Sequence, residues 1–332
     1  MHAPNVHQGG GRTLLLPLLE ALPRGSRAHL DTRLLAQNPA IPDDVDVYPT
    51  PPSLLGRYNG ERMLREVSQA NDTVLCFGNL PPLFSVPAKV RVFLQNRYLV
   101  SDADTSPLPL KTRLRLVIER GWLKRFARDA EIIVQTPTMA HLVKQHLGRD
   151  ARSVSFVPEM PAAVVSTPQY DYLYVASPEG HKNHKRLLEA WMLMAAEDTG
   201  APTLALTLSP AQAGFLAPYL SHLKDTVTLE DPRGRHEMPD LYASAQALIY
   251  PSLFESFGLP LLEAAAYGLP ILAAERDYVR DVVVPSQTFD PASAVSIARA
   301  VRRHQKVKQP IQSPVDAQAF LETLTREDPC AS

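Results

Sequence analysis

One segment in the second half of the chain, residues 247–273, restricts the possible folds more than any other. The apolar run 247–250 predicts a buried strand, and a polar loop follows it. Pro260 stands where the first helical residue should be, and Gly268 ends the predicted helix. A buried strand, a loop and a helix in this order are typical of parallel α/β sheets, which bind ligands beyond the carboxyl ends of their strands.

The same segment predicts a site for a phosphate. Phe257, Gly258 and Leu259 lie at the helix N-terminus, where unpaired N–H groups and the helix dipole favour an anion. Gly258 lets the backbone approach a ligand closely because it has no side chain. Glu255 precedes this position, and Glu263 lies about one turn inside the helix. A sugar nucleotide has the matching order of groups, with sugar hydroxyls, a diphosphate and ribose hydroxyls.

Two motifs give the chain a family resemblance. Glu255 and Glu263, with Phe257-Gly258-Leu259-Pro260 between them, resemble the signature of retaining glycosyltransferases of family 4, within the glycosyl transferases group 1. Upstream, His181-Lys182-Asn183 stands before a predicted helix and resembles the phosphate-binding lysine segment of that family. Enzymes of this family have the GT-B fold, so the resemblance implies a transferase that uses a nucleotide-sugar donor.

The domain organisation follows from alternating strand and helix patterns, which indicate a parallel sheet covered on both faces in each half. The resemblance, strong over 170–283 and weaker over 5–157, implies the GT-B arrangement of two Rossmann-like, doubly wound α/β domains facing a cleft. We predict an acceptor-side domain at 1–160 and a nucleotide-sugar-binding domain at 161–332, with a last helix able to pack back on the first domain. The proline-rich stretch 158–168 would be the linker and hinge.

Individual elements can also be predicted. In the first half the predicted strands are 73–77, 90–94, 131–134 and 153–157, and the predicted helices are 13–22, 111–128 and 138–147. In the second half the predicted strands are 172–176, 204–208, 226–229 and 247–250, with a turn and a further strand within 268–273. The predicted helices are one capped by Asn183, 211–220, 239–244 and the helix after Leu259. Few residues precede the glycines at 9–11, and Pro4 suits a central strand poorly, so we expect a short first strand or a start that omits residues.

In the second domain the resemblance implies a role for each site residue. Lys182 would be the cation beside the diphosphate, with His181 adjoining it. Glu255 would bind the hydroxyls of the donor sugar, and Glu263 would bind the ribose. The remaining donor-binding residues would lie at the phosphates or near the base, and they are Ser256, Phe257, Gly258, Leu259, Leu229 and Glu230.

In the first domain, Gly10 and Gly11 resemble the glycine loop that approaches the donor phosphate or the acceptor. Asn96, after the strand 90–94, would bind sugar hydroxyls, so the predicted catalytic residues are Glu255, Lys182 and Asn96. One departure concerns the arginine that the family usually carries a few residues before the lysine. Residues 176–179 contain none, so Lys185, Arg186 or a group from elsewhere would take its place.

Composition excludes other classes of protein. The net charge of −1 argues against nucleic acid as a main partner. The two cysteines give neither a disulfide framework nor a zinc spacing, and no secretory or membrane-spanning segment is evident, so we expect a cytoplasmic protein. Asp102 and Asp104 have the spacing of a metal-binding pair, but they lie in a Ser/Pro-rich loop and we interpret them as solvated. We expect no metal and no cofactor.

The segment 111–128 suggests a further partner. It carries seven basic residues against one acid, Glu119, and Leu114, Val117, Ile118 and Trp122 fall on one helical face. Such a helix could lie on an anionic membrane, which would fit a lipid-linked saccharide acceptor. The alternative is an amphipathic helix packed on the first domain.

Our interpretation is a retaining, metal-independent glycosyltransferase that acts on a glycan or lipid-linked acceptor in surface polysaccharide synthesis. Two alternatives share the fold and the phosphate site. One is a GT-B nucleotide-sugar epimerase, which would release an altered nucleotide sugar. The other is a non-catalytic sugar-nucleotide-binding module, favoured by the short first strand and the missing arginine. A nicotinamide dehydrogenase does not fit, because the G-x-G-x-x-G spacing is absent.

Overall fold

The computed structural model describes residues 1–106, 108–158, 160, 167–234 and 237–305. The chain divides into two compact units, one containing Met1–Glu159 and the other formed by Met160–Pro314. Most of the predicted linker at 158–168 and the predicted last helix lie outside the described residues.

The first unit contains a seven-stranded sheet with parallel pairings. Its strands are β1 (His2–Ala3), β2 (Arg27–Asp31), β3 (Asp46–Thr50), β4 (Thr73–Cys76), β5 (Lys89–Phe93), β6 (Glu131–Val134) and β7 (Ala151–Ser153). Its helices are α1 (Gly9–Glu20), α2 (Thr32–Leu35), α3 (Leu54–Val67), α4 (Leu110–Phe126) and α5 (Pro137–Leu147), with a 3-10 turn at Arg97–Val100. The strand order β3-β2-β1-β4-β5-β6-β7 is that of a doubly wound Rossmann-like sheet.

Three predictions for the first unit meet a clear outcome. The first strand is short, because β1 has two residues, although His2 pairs with both neighbouring strands. The prediction of a strand at 153–157 is wrong, since β7 ends at Ser153. Residues 154, 156 and 157 are buried without being in a strand, and burial alone gave that run its apolar pattern. The helix predicted at 13–22 begins earlier, at Gly9.

The second unit contains a six-stranded sheet, again with parallel pairings. Its strands are β8 (Tyr170–Tyr174), β9 (Leu204–Leu206), β10 (Val227–Leu229), β11 (Ala245–Tyr250), β12 (Ile271–Ala274) and β13 (Gln287–Phe289). Its helices are α6 (His184–Ala195), α7 (Ala217–Leu220), α8 (Met238–Ala243), α9 (Leu259–Ala266), α10 (Asp277–Arg280) and α11 (Ala294–His304), with 3-10 turns at Gly180–Lys182 and Gln212–Leu216. The strand order is β10-β9-β8-β11-β12-β13.

The centre of the second sheet positions the predicted site. Strands β8 and β11 are neighbours with Leu173 opposite Leu248, so the loops that follow them leave the sheet at the same edge. Leu173, Leu248 and Trp191 are fully buried, and the Trp191 indole N–H donates to the carbonyl of Pro202 at 2.8 Å. Both loops therefore start from a rigid, apolar base.

Two further predictions for the second unit need correction. The helix predicted at 211–220 is a 3-10 turn followed by the four-residue α7. The strand predicted at 172–176 ends at Tyr174, and β8 begins two residues earlier, at Tyr170. Among the described helices, none has both the length and the apolarity that crossing a bilayer requires.

Candidate functional site

The loop after β8 and the loop after β11 are joined by hydrogen bonds. The main-chain N–H of Leu253 donates to the carbonyl of His181 at 2.8 Å, and the Ser252 hydroxyl oxygen lies 3.2 Å from the same carbonyl oxygen. The Tyr278 hydroxyl in turn donates to the carbonyl of Ser252 at 2.8 Å. These contacts bring Lys182 and Glu255, which lie on different loops, into direct contact.

Glu255 is surrounded by hydrogen-bond donors. The Lys182 ammonium lies 2.6 Å from Glu255 Oε1, and the same oxygen accepts from Ser252 at 2.7 Å and from Tyr250 at 2.9 Å. Lys182 and Glu255 expose only 14% and 12% of their side chains. Burial and the charge of Glu255 raise the pKa of Tyr250 well above its usual value, so Tyr250 remains a donor. The carboxylate is therefore held in one orientation, next to a cation.

Lys182 is fixed through its main chain as well. It ends the 3-10 turn Gly180–Lys182, and its carbonyl accepts a hydrogen bond from the buried Tyr174 hydroxyl. The prediction that the side chain of Asn183 caps α6 is wrong. Asn183 is the N-cap residue, but its φ is +63° and its amide group instead donates to the carbonyls of Pro251 and Pro291.

The predicted phosphate position is the N-terminus of α9. Gly258 is the N-cap residue with φ +81°, a conformation that favours glycine. A Cβ atom at Gly258 would lie 3.1 Å from Leu261 Cδ1, a tight contact that the leucine would have to relieve, whereas its distance of 3.5 Å from the Tyr278 ring is an ordinary contact. The helix starts at Leu259, one residue before Pro260, and Phe257 is buried in the core.

Glu263 and Glu230 each have their own partners. Glu263 accepts from the Tyr242 hydroxyl at 2.6 Å. Glu230, after Leu229 at the end of β10, accepts from Tyr170 at 2.6 Å and from Arg233 at 2.7 Å. Burial raises the pKa of Glu230, but these two hydrogen bonds outweigh it and leave the pKa below its usual value.

The predicted residues of the first unit lie near the ends of β1 and β5. Asn96 follows β5, and its side-chain oxygen accepts from the Tyr98 N–H at 3.1 Å, which caps the turn Arg97–Val100. The prediction of a loop at Gly10 and Gly11 is wrong, because both residues belong to the first turn of α1. Gly9, the first residue of α1, has φ +66°, a conformation that favours glycine.

In the segment before Lys182, where the family usually carries an arginine, this chain has an acidic residue. Glu179 lies in the loop before Lys182, with its side chain largely exposed. Partial desolvation raises its pKa, but hydrogen bonds from Ser177 and from its own main chain, together with the charge of Lys182, outweigh this and lower the pKa. Burial and the charge of Lys182 lower the pKa of His181. Arg186 forms an ion pair with Glu189.

Candidate metal ligands can be judged only within the described residues. There, no group of three or more His, Cys, Asp or Glu side chains is placed to hold a metal ion. Asp102 lies 3.7 Å from His146 with its side chain 95% exposed, and Asp104 accepts hydrogen bonds from Ser106.

Residues 159–308 match the sequence profile of a family described as glycosyl transferases group 1. This segment, which makes up less than half of the chain, is similar to that family. The O-antigen chain mannosyltransferase B of Escherichia coli is 30% identical over 148 residues, which are 40% of this chain and 38% of that protein. A D-inositol 3-phosphate glycosyltransferase of Frankia alni is 41% identical over 61 residues, which are 18% of this chain and 15% of the relative. The chain thus matches less than two fifths of the length of these relatives.

Solved structures show the fold. Anabaena HepE in complex with UDP-glucose superposes with a TM-score of 0.71 and 16% identity, covering 98% of both chains. WaaG, a glycosyltransferase involved in lipopolysaccharide biosynthesis, superposes with a TM-score of 0.64 and 17% identity, covering 97% of this chain and 92% of WaaG. With two parallel-sheet Rossmann-like units, the chain has the predicted GT-B fold.

Proposed function

We propose that the chain is a retaining, metal-independent glycosyltransferase that moves a sugar from a nucleotide-sugar donor to a glycan or lipid-linked acceptor. The contact of Lys182 with Glu255, in the domain that matches the family, carries this proposal. The donor diphosphate would lie at the N-terminus of α9, with Lys182 as its cation. Glu255 would accept hydrogen bonds from the sugar, Glu263 from the ribose, and Glu230 would lie near the base.

In the proposed reaction the bond between the anomeric carbon and the diphosphate oxygen breaks, and a bond to an acceptor oxygen forms. The diphosphate leaves with the bonding electron pair, and the proton of the acceptor hydroxyl is released to solvent with it. Negative charge therefore develops on the diphosphate, where Lys182 and the N–H groups at Gly258 and Leu259 would stabilise it without a metal. Retention of the anomeric configuration follows from the family resemblance alone, and the role of Asn96 in the first unit remains a prediction.

The ion pair also suggests how the donor is received. Without donor, the positive charge of Lys182 is neutralised by Glu255 at 2.6 Å. A bound diphosphate would compete for the ammonium, while Tyr250 and Ser252 would keep the carboxylate in place. Glu255 would then accept hydrogen bonds from sugar hydroxyls in exchange for the one from Lys182.

The similar proteins suggest the biological process in which this chain acts. An O-antigen chain mannosyltransferase and a lipopolysaccharide glycosyltransferase are among the proteins most like this one. We infer a role in bacterial surface polysaccharide synthesis, in the cytoplasm and on the inner face of the membrane. The acceptor would then be a saccharide carried on a lipid.

The helix α4 supports contact with an anionic membrane. Leu110, Leu114, Val117 and Ile118 are between 59% and 76% exposed. The alternative, that α4 is an amphipathic helix packed on the first domain, also holds, because the helix buries Leu116 and Leu123 in the core of that unit and half-buries Trp122. The exposed apolar residues lie on its other side. Exposed leucine, valine and isoleucine among basic side chains fit the interface of an anionic bilayer.

The neighbouring helix α3 extends this surface. Leu54 and Leu55 at its start are 93% and 70% exposed. The two helices are adjacent, since the Arg57 guanidinium lies 5.5 Å from the centre of the Trp122 ring. We propose that this membrane surface, formed by the exposed apolar residues of α3 and α4, brings the enzyme to its lipid-linked acceptor.

Retention on vesicles tests the membrane contact. The protein should sediment with vesicles of anionic lipid at low salt, and Leu114→Ser with Ile118→Ser should abolish sedimentation. Leu193→Ser is the matched control, because Leu193 is 44% exposed on α6 in the other unit. No retention of the wild-type protein on anionic vesicles would overturn this part of the proposal.

A donor screen tests the activity. UDP-, GDP-, ADP- and dTDP-sugars are incubated with the protein and a chelator, with and without lipid-linked saccharide acceptors, and nucleotide release is measured. We expect release from one donor, lost in Glu255→Gln and Lys182→Met but kept in Lys224→Met, the matched control in an exposed turn of the same unit. Binding without release would favour the non-catalytic module, and an altered nucleotide sugar would favour the epimerase.

A further inference from the structure

In each unit, one asparagine with a left-handed backbone conformation has a second structural function. In the described part of the chain, the non-glycine residues with positive φ are Asn38, Asn79 and Asn183. Asn38 is exposed after α2, whereas Asn79 follows β4 and Asn183 follows β8. A residue in this conformation is rare outside glycine and persists where the surrounding structure requires it.

In the second unit, Asn183 connects three loops. It directly follows Lys182, and its side-chain amide donates to the carbonyl of Pro251 at 3.1 Å and to the carbonyl of Pro291 at 2.8 Å. Pro251 begins the loop that carries Glu255, and Pro291 follows β13. One amide group thus fixes the loop of Lys182 against the loop of Glu255 and against a third loop.

In the first unit, Asn79 connects two loops, but as a hydrogen-bond acceptor where Asn183 is a donor. Its side-chain oxygen accepts from the main-chain N–H groups of Gln95 at 2.6 Å and Asn96 at 2.8 Å. These are the residues that follow β5 and lead into the turn that Asn96 caps. Asn79 therefore orients the main chain of Asn96 from the loop of the adjacent strand β4.

We propose that Asn79 and Asn183 are positioning residues, one in each unit, that set the backbone of the loops carrying Asn96, Lys182 and Glu255. The inference rests on the proposed function for the roles of those three residues. Neither asparagine needs to touch the donor, because each acts through main-chain groups of a neighbouring loop. A small displacement of such loops would lower the rate of the chemical step more than it would weaken donor binding.

The side chain of Asn79 accepts hydrogen bonds, whereas that of Asn183 donates them. The same substitution, asparagine to aspartate, should therefore have different effects at the two positions. Asn79→Asp keeps an oxygen acceptor for two N–H groups, so the loop should stay in place. Asn183→Asp replaces the amide donor with a carboxylate facing two carbonyl oxygens, so the contact should be lost. Asn79→Gly and Asn183→Gly keep the left-handed backbone and remove both side-chain contacts.

We therefore expect kcat to remain within about twofold of wild type in Asn79→Asp and to fall by about tenfold or more in Asn183→Asp and in both glycine variants. KM for the donor should change less than kcat. Asn38→Asp and Asn38→Gly are the matched controls, since Asn38 has φ +49° at an exposed position, and both should behave as wild type. Equal kcat in Asn183→Asp and wild type would overturn the assignment of Asn183.

Amide hydrogen exchange gives a readout that does not depend on activity. Asn79→Gly should exchange faster at the N–H groups of Gln95 and Asn96 but Asn79→Asp should not, and Asn183→Asp and Asn183→Gly should exchange faster at Leu253. Unchanged exchange at these amides in the glycine variants would overturn the inference. If the wild-type protein releases no nucleotide from any donor, the proposed function fails, and the exchange data alone decide whether these asparagines fix the loops.

Discussion

The Lys182 ammonium and the Glu255 carboxylate, from loops after two neighbouring strands, lie 2.6 Å apart and are almost fully shielded from water. A charge in such a place is costly unless it is paired, so each residue stabilises the other. The pair therefore links the stability of the domain to the site. Removing either residue should affect both, and the size of the coupling can be measured.

The first prediction concerns this coupling. Lys182→Met should lower the free energy of unfolding by about 2 kcal/mol, because Glu255 loses its charged partner but keeps Tyr250 and Ser252. Glu255→Gln in the same protein should restore part of that loss, giving an interaction energy of about 1 kcal/mol in a double-mutant cycle. Urea unfolding of the four proteins measures it, and strictly additive changes would show that the two side chains do not interact in solution.

The second prediction concerns Gly258. Gly258→Ala should lower the free energy of unfolding by about 2 kcal/mol, because it combines a left-handed backbone with a Cβ atom 3.1 Å from Leu261. Gly148→Ala is the matched control, since Gly148 has φ +66° at the end of α5 with nothing within 4 Å of the added atom. It should lose about 1 kcal/mol, the conformational part alone. Equal losses in thermal or urea unfolding would contradict a steric role.

The site could be predicted from the sequence where chemistry and local structure coincide. The segment around Gly258 has a buried strand, a glycine and a proline at fixed places, each with its own local physical cause. The contact of Lys182 with Glu255 could not be deduced in this way, because it depends on the order of strands in the sheet. Nor could the role of Asn183, whose position suggested an ordinary helix cap.

The fold was least predictable between α1 and β4. No element was assigned there, although β2, β3 and α3 occupy most of residues 27–67. The strand β3 contains Pro49, and this proline is tolerated because β3 lies at the edge of the sheet. The helix α3 buries only Gly56, Glu61 and Leu64 and leaves Leu54 exposed, so its pattern gives little sign of a helix packed on a core.

The third prediction concerns Glu179. Its carboxylate lies near Lys182 and would repel a diphosphate, so Glu179→Gln should bind the donor nucleotide more tightly, by about two- to threefold. The gain should shrink as salt is added, because the side chain is exposed and its charge is screened. Calorimetric titration at two ionic strengths measures the effect, with Asp198→Asn beyond the end of α6 as control. An unchanged or weaker affinity at low salt would contradict it.

The last prediction concerns His184, the first residue of α6, which is 2% exposed and packs against the Tyr174 ring. Neither of its ring nitrogens has a hydrogen-bond partner within the described residues. Burial lowers its pKa from 6.5 to about 4, with the nearby charge of Lys182 as a further cause. The unfolded chain therefore binds a proton below pH 6.5 that the folded protein accepts only near pH 4. Above pH 6.5, His184 does not change the free energy of unfolding. As the pH falls from 6.5 to 4, the protonation of His184 in the unfolded chain lowers the free energy of unfolding by about 3 kcal/mol in all.

His184→Leu removes that titration and keeps an apolar side chain in the same place. The free energy of unfolding of the variant, relative to wild type, should rise steadily as the pH falls from 6.5 to 4 and stay constant above pH 6.5. Buried His2 and His29 in the first unit titrate in both proteins, so their effects cancel in the difference. A difference between His184→Leu and wild type that does not depend on pH would show that His184 is protonated as readily in the folded protein as in the unfolded chain.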